Sequence, residues 1–187
     1  MPVIEAGSVR QGNVIKLDED LWLVRDTREA HVGKKGAYTQ IKMQNLRDNH
    51  TETKRFSTSD RVETAYVETK WMTYLYEDTA GHVFMEPETG QQVMIDREKL
   101  EDVLPYLAYN AEVEVDLHDG RPISVKLPTS VELEVTSTEP AVRGDTATNV
   151  TKPAEVETGC TVKVPGHIKE GEVIEVDTRT GEFLGRA

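Results

Sequence analysis

Along most of the chain the apolar positions repeat every second residue, which predicts strands. In "AYTQIKMQNLRD" Thr39, Ile41 and Met43 alternate with Tyr38, Gln40 and Lys42. "NVIKLDEDLWLVRDT" reads as two strands around an acidic turn at Asp18–Asp20, and "TKRFSTSDRVETAYVETKWMTYLYED" continues in β-branched and aromatic residues. "GHVFMEPETGQQVMI" is two short strands around Pro87–Gly90, and "AEVEVDLHDGRPISVKLP" is a hairpin on Asp119–Gly120. "SVELEVTSTEP" and the last 29 residues repeat the scheme, with turns at Pro165–Gly166, Glu170–Gly171 and Thr180–Gly181. Only "DREKLEDVLPYLAYN" is helical in pattern: Asp96 is a candidate N-cap, Leu100, Val103 and Leu104 share one side, and Pro105 ends the run. One short helix is expected near 96–104.

Many short strands at regular spacing imply an all-β chain of small barrels. Seams fall near Thr64, where acidic character rises, and near Pro128, where a strand ends. Three segments follow, 1–64, 65–128 and 129–187. Each is marginal alone, so packing between neighbours is expected to help.

Charge sharpens this division. The formal net charge is −12, which disfavours general affinity for a polyanion. Residues 1–64 carry 11 basic and 10 acidic side chains, residues 65–128 carry 5 and 13, and residues 129–187 carry 6 and 11. RNA contact is therefore expected to be local, in the first third and in selected loops. Cys160 is the single cysteine, so no internal disulfide forms, and a small half-buried thiol is expected there. The opening "MPVIEAGSVRQGNVI" has no secretory-signal pattern. No apolar run is long enough to span a bilayer. The expectation is a cytoplasmic, monomeric chain without membrane contact.

Chemistry-bearing motifs are sparse. No GxxxxGK[ST], GxGxxG or GxSxG occurs. The five histidines are scattered without metal-ligand spacing, so no metal and no cofactor are expected. A hydrolase built on an Asp/Glu pair would need two convergent carboxylates in a cleft. A non-enzymatic binding protein is the better class.

Two local features stand out. "HVGKKGAY", residues 31–38, sets two lysines between glycines at a turn in an acidic chain. The second is "KPAEVETGCTVKVPGHIKEG", where Lys152, Ala154, Gly159, Val162, Val164, Pro165, Ile168 and Gly171 match a defined pattern over twenty residues. That pattern resembles the signature of the bacterial elongation factor P family. "GNVIKLDEDLWLV", "KRFSTSDRVE", "MTYLYED" and the passage from "GRPISVKLP" to "NVTKPA" extend the resemblance over essentially the whole chain.

The resemblance implies three β-barrels, an SH3-like (KOW-like) domain and two OB-fold domains, in an L-shaped arrangement that imitates a tRNA. It implies a translation factor that binds both ribosomal subunits between the peptidyl-tRNA and exit sites. Such a factor relieves stalling at consecutive prolines. The family loop resembles Lys-Pro-Gly-Lys-Gly-x-Ala-aromatic, its second lysine or arginine extended by a modifying enzyme. Aligned without gaps from "GAY", Lys34 stands at that tip, supported by Gly33, Gly36, Ala37 and Tyr38, and reaches the CCA end of the P-site tRNA. A one-residue slip puts Lys35 there instead, the alternative tip that would suit the factor-P-like paralogue. Val32 and Lys35 replace the family's proline and glycine. Gly144, Asp145 and Thr146 resemble the loop that approaches the messenger at the exit-site codon, with Arg143 beside them, and Arg186 is a further candidate RNA contact. Phe183 replaces the family's terminal tyrosine. The rival class is a non-ribosomal β-barrel binding module.

Overall fold

The computed structural model describes residues 2–31, 36–140 and 150–187, and their regular structure is almost wholly strand. In the first sheet β1 (Val3–Glu5), β2 (Val14–Leu17), β3 (Asp20–His31), β4 (Ala37–Asn45), β5 (Thr51–Ser57) and β6 (Arg61–Ala65) lie in the order β1-β6-β2-β3-β4-β5. The second sheet comprises β7 (Glu68–Asp78), β8 (Gly81–Met85), β9 (Gln92–Ile95), β10 (Glu112–His118) and β11 (Arg121–Lys126), in the order β11-β10-β7-β8-β9. The third comprises β12 (Ser130–Thr138), β13 (Thr151–Val156), β14 (Thr161–Pro165), β15 (Val173–Asp177) and β16 (Phe183–Arg186), in the order β14-β13-β12-β15-β16. The chain gathers into two compact units. One holds the chain up to Thr69 with Asp116–Ile123, the other Lys70–Val115 with Ser124–Ala187.

The period of two is what builds each core. In β4 Thr39, Ile41, Met43 and Asn45 are buried while the residues between them are not. Ile41 and Met43 join Val9, Ile15, Trp22, Val24 and Val62 in one cluster. In the third sheet Leu133 and Val135 of β12 are buried between exposed Glu132, Glu134 and Thr136 and meet Ala154, Val156, Val162, Val164, Ile168, Ile174 and Val176. Each such large apolar side chain contributes roughly 1.5–3 kcal/mol of transfer free energy. Tyr106 and Ala108, from the segment between β9 and β10, also pack on this third core. Cys160 is half-buried against it, as expected for a structural thiol.

The turn chemistry holds where the backbone demands it. Asp119 and Gly120 both take positive φ, 49° and 74°, the pair that a two-residue hairpin matching strand twist requires. The segment expected to be one helix over 96–104 is instead two 3-10 turns, Arg97–Lys99 and Leu104–Tyr106. Asp96 makes no side-chain capping bond, and Pro105 lies at the start of the second turn. Leu100 is fully buried between the two turns. A run this short cannot offset helix nucleation unaided.

Gly81, which opens β8, has no room for a side chain. A Cβ there would sit 2.7 Å from the carbonyl oxygen of Ile95, which is backbone and cannot swing aside. Gly81→Ala is expected to destabilise the protein by about 1–3 kcal/mol, read as a lower urea midpoint. Gly185→Ala, whose Cβ would meet nothing within 4 Å, is expected to stay within about 0.5 kcal/mol of the parent.

Candidate functional site

The first sheet carries a long hairpin, the arm β3–β4, with β5 laid along the outer edge of β4. β3 and β4 pair from Trp22↔Asn45 to His31↔Ala37, with an irregularity between Val24 and Asp26 that leaves Arg25 as an extra residue. The base of the arm is pinned by polar groups. Buried Asn45 donates its Nδ2–H to Asp20 Oδ2 at 3.0 Å and accepts the Arg47 N–H at 2.8 Å, while Arg47 ion-pairs with Asp20. β5 flanks β4 along its length, from Tyr38↔Ser57 to Gln44↔Thr51. Near the far end the Ala37 carbonyl accepts from the Thr58 N–H at 3.3 Å and the Thr58 hydroxyl at 3.4 Å. Gly36 has φ +91° and open space around it, so the dihedral and not crowding calls for glycine.

Over β3, β4 and β5 the side away from Ile41 and Met43 is cationic, while nearer β2 and β6 the same side buries Val14, Leu23 and Ala65. Tyr38, Gln40 and Lys42 of β4 lie opposite Ser57, Arg55 and Thr53 of β5 and opposite Ala30, Arg28 and Asp26 of β3. The Arg55 guanidinium lies 5.1 Å from the centroid of the Tyr38 ring, a cation–π contact that orients both. Arg25 donates to Gln44 Oε1 at 2.9 Å, and Arg28 Nε lies 3.1 Å from Asp26 Oδ2. Asp26, Arg28, Gln40, Lys42 and Thr53 line a shallow depression of about 250 Å³. Over β3, β4 and β5 this side carries Arg25, Arg28, Lys42 and Arg55 against the single carboxylate of Asp26 and is net positive there.

Gly33, Lys34 and Lys35 lie outside the described residues, as do Arg143, Gly144, Asp145 and Thr146. Of the loop residues named from sequence, Gly36, Ala37 and Tyr38 are described, at and just inside the end of β4. Arg186 lies in β16, half-exposed, with Nη2 3.3 Å from Glu172 Oε1. The signature residues build the third sheet. Ala154 pairs with Val162 and Lys152 with Val164, all but Lys152 buried in the core. Lys152 Nζ donates to the Glu139 carbonyl at 2.6 Å. Gly159 turns β13 into β14 with its N–H on the Val156 carbonyl at 2.8 Å. Pro165 accepts from the Ile168 N–H at 3.1 Å, and Gly171 donates to the Val135 carbonyl at 2.8 Å. These residues are architecture. The cationic face was not found from sequence. Its one signal is the outward set Tyr38, Gln40 and Lys42, and joining these to Arg28 and Arg55 needs the registers of two separate strand pairs.

Three family models match consecutive segments that together span most of the chain. They are an elongation factor P KOW-like domain over residues 5–62, an elongation factor P OB domain over 67–125, and the elongation factor P C-terminal domain over 131–186. A protein named elongation factor P from Alkaliphilus metalliredigens is 43% identical over 98% of this chain and 100% of its own length. One from Coprothermobacter proteolyticus is 41% identical over 98% and 99%. The chain belongs to the elongation factor P family, and it is a translation elongation factor. A solved structure described as eukaryotic translation initiation factor 5A from Methanococcus jannaschii overlaps 67% of this chain and 92% of its own, at 17% identity and a TM-score of 0.48.

Among the described residues no cluster of His, Cys, Asp and Glu could hold a metal ion, and no helix is long and apolar enough to cross a membrane. The one deeply buried histidine among the described residues is His82 in β8, 3% exposed. Its Nδ1 shares a 3.0 Å hydrogen bond with the Tyr74 hydroxyl, while Nε2 faces Glu77 at 3.8 Å, beyond hydrogen-bond reach. Burial pushes the imidazole below its usual range, with Glu77 opposing and Arg97 reinforcing the shift. Tyr74, Tyr109 and Glu157 line the same cavity. The unfolded chain therefore takes up this proton more readily than the folded one. Stability is expected to fall as pH drops below about 6.5 and to level off below the folded-state value. Chemical denaturation at pH 7 and pH 5.5 checks this, and His82→Gln is expected to lose part of the drop.

Proposed function

We propose that this factor acts on the ribosome between the peptidyl-tRNA and exit sites. There it speeds peptide-bond formation at consecutive prolines by holding the CCA end of the P-site tRNA with the Lys34 amine. The observation that carries the reading is the β3–β4 arm. Its paired strand ends, His31 and Ala37, are joined by five residues of which two are lysines. The arm's cationic face, with Arg25, Arg28, Lys42 and Arg55, supplies charge for a polyanionic partner in a chain that is acidic elsewhere.

The chain contributes no acid–base or covalent step, since peptide transfer is the ribosome's reaction. Proline reacts slowly because its ring restricts geometry. A group that limits wandering of the tRNA terminus raises the fraction of time spent in the reactive alignment. About 1.4 kcal/mol of such positioning yields a tenfold faster step. A lysine offers a compact charge with three donors. A covalent extension of Lys34, added by a modifying enzyme that reads the loop, lengthens its reach. Gly144, Asp145 and Thr146, with Arg143 beside them, approach the messenger at the exit-site codon, where backbone groups and a hydroxyl read unpaired base edges.

Translation of a polyproline reporter tests the tip. Lys34→Ala is expected to lower the relief of stalling by at least about tenfold, the cost of losing one positioning contact. Lys35→Ala is expected to retain most of it. If Lys34→Ala relieves stalling as well as the parent does, the tip assignment is wrong.

A further inference from the structure

The second sheet presents a row of large apolar side chains to solvent. Tyr76, Val83 and Met94 stand directly opposite one another across β7, β8 and β9, so they share one side of the sheet. Tyr76 and Met94 are 46% and 45% exposed, and Val83 between them is covered. Met85, paired with Thr73, is the next residue of β8 on that side, and Trp71, two residues before Thr73 in β7, is 57% exposed. The opposite side holds Phe84, His82, Ile95 and Tyr74, all buried. The exposed row is thus a second apolar surface, distinct from the core.

The charges around it are mostly acidic. Asp78, which pairs with Gly81, falls on the same side by alternation, and Asp96 follows directly after β9, with Lys99 Nζ 4.0 Å from its carboxylate as the one cation placed there among the described residues. The Thr69 hydroxyl donates to Asp116 at 2.6 Å, which puts these two residues on one side of β7 and β10. Trp71 and Thr73 then share that side with Glu114 and Glu112. None of the residues so placed on β7–β10 is lysine or arginine. Segment 65–128 as a whole carries 5 basic and 13 acidic side chains.

We infer that this row docks a lysine- and arginine-rich segment of a ribosomal protein, an inference that rests on the ribosomal role proposed above. On a ribosome the candidates for an exposed aromatic surface are RNA and protein. OB-fold sheets that stack bases on aromatic rings sit in a positively charged groove that tracks the phosphates. Here the rim repels phosphates. Trp71, Tyr76 and Met94 belong to the residue types enriched at protein interfaces, and carboxylates at the rim would steer and select a basic partner.

The test uses the full chain with a benzophenone amino acid in place of Met94, bound to purified ribosomes and irradiated, with pelleting measured in parallel. The expected result is a ribosomal-protein adduct that maps to a Lys/Arg-rich segment. Its yield should fall about tenfold with Trp71→Ala, as for a central aromatic anchor. It should fall comparably with the exposed-site double change Asp78→Lys and Asp96→Lys. An adduct with ribosomal RNA, an adduct with a segment that is not basic, or no adduct while the factor still pellets would overturn this inference alone. A factor that does not pellet at all would overturn the ribosomal role and this inference with it.

Discussion

The pairing of β3 with β4 is the constraint on which the rest depends. The register from Trp22↔Asn45 to His31↔Ala37 fixes which side chains face the core and which face outward. It also fixes which residues, His31 and Ala37, end the hairpin. A slip of one residue would exchange Thr39, Ile41 and Met43 for Tyr38, Gln40 and Lys42, putting polar groups into the core and dispersing the cations. The burial of Ile41 and Met43 opposes that slip, and the Asp20–Asn45–Arg47 contacts hold the base of the arm.

The chain divides its labour by charge. Its first third is close to neutral and concentrates cations on one sheet face, while the remainder is strongly acidic. A factor working among polyanions needs attraction at one place and avoidance elsewhere, because every extra cation adds affinity without position. The apolar row at Trp71, Tyr76 and Met94 fits the same division, since an acidic surface can still gain a partner by choosing a basic protein over RNA.

Much of the fold was legible because alternation is a local signal. The hairpin at Asp119–Gly120, the strands about Pro87–Gly90 and the buried valines of the signature segment follow from residues close in sequence. The 3-10 turns at Arg97–Lys99 and Leu104–Tyr106 were not legible, because burial of Leu100 and the place of Pro105 decide against a helix that spacing alone allows. Of the proposed site, the lysine doublet is a reading of the sequence alone, and both lysines lie outside the described residues. The supporting face was not legible, because Arg28 and Arg55, 27 residues apart, come together only by each lying opposite Gln40 from the strands on either side of β4. His82 gave no signal either, since its burial comes from the pairing of β7 with β8 and β9.

Cross-linking from position 34 to the tRNA tests the central claim most directly. A short photoreactive group on residue 34 of the full-length factor, bound to ribosomes halted at consecutive prolines, is expected to label the terminal adenosine of the P-site tRNA. The label should weaken when the same group is moved to position 35. Labelling confined to ribosomal RNA or protein, with the factor demonstrably bound, would contradict the account.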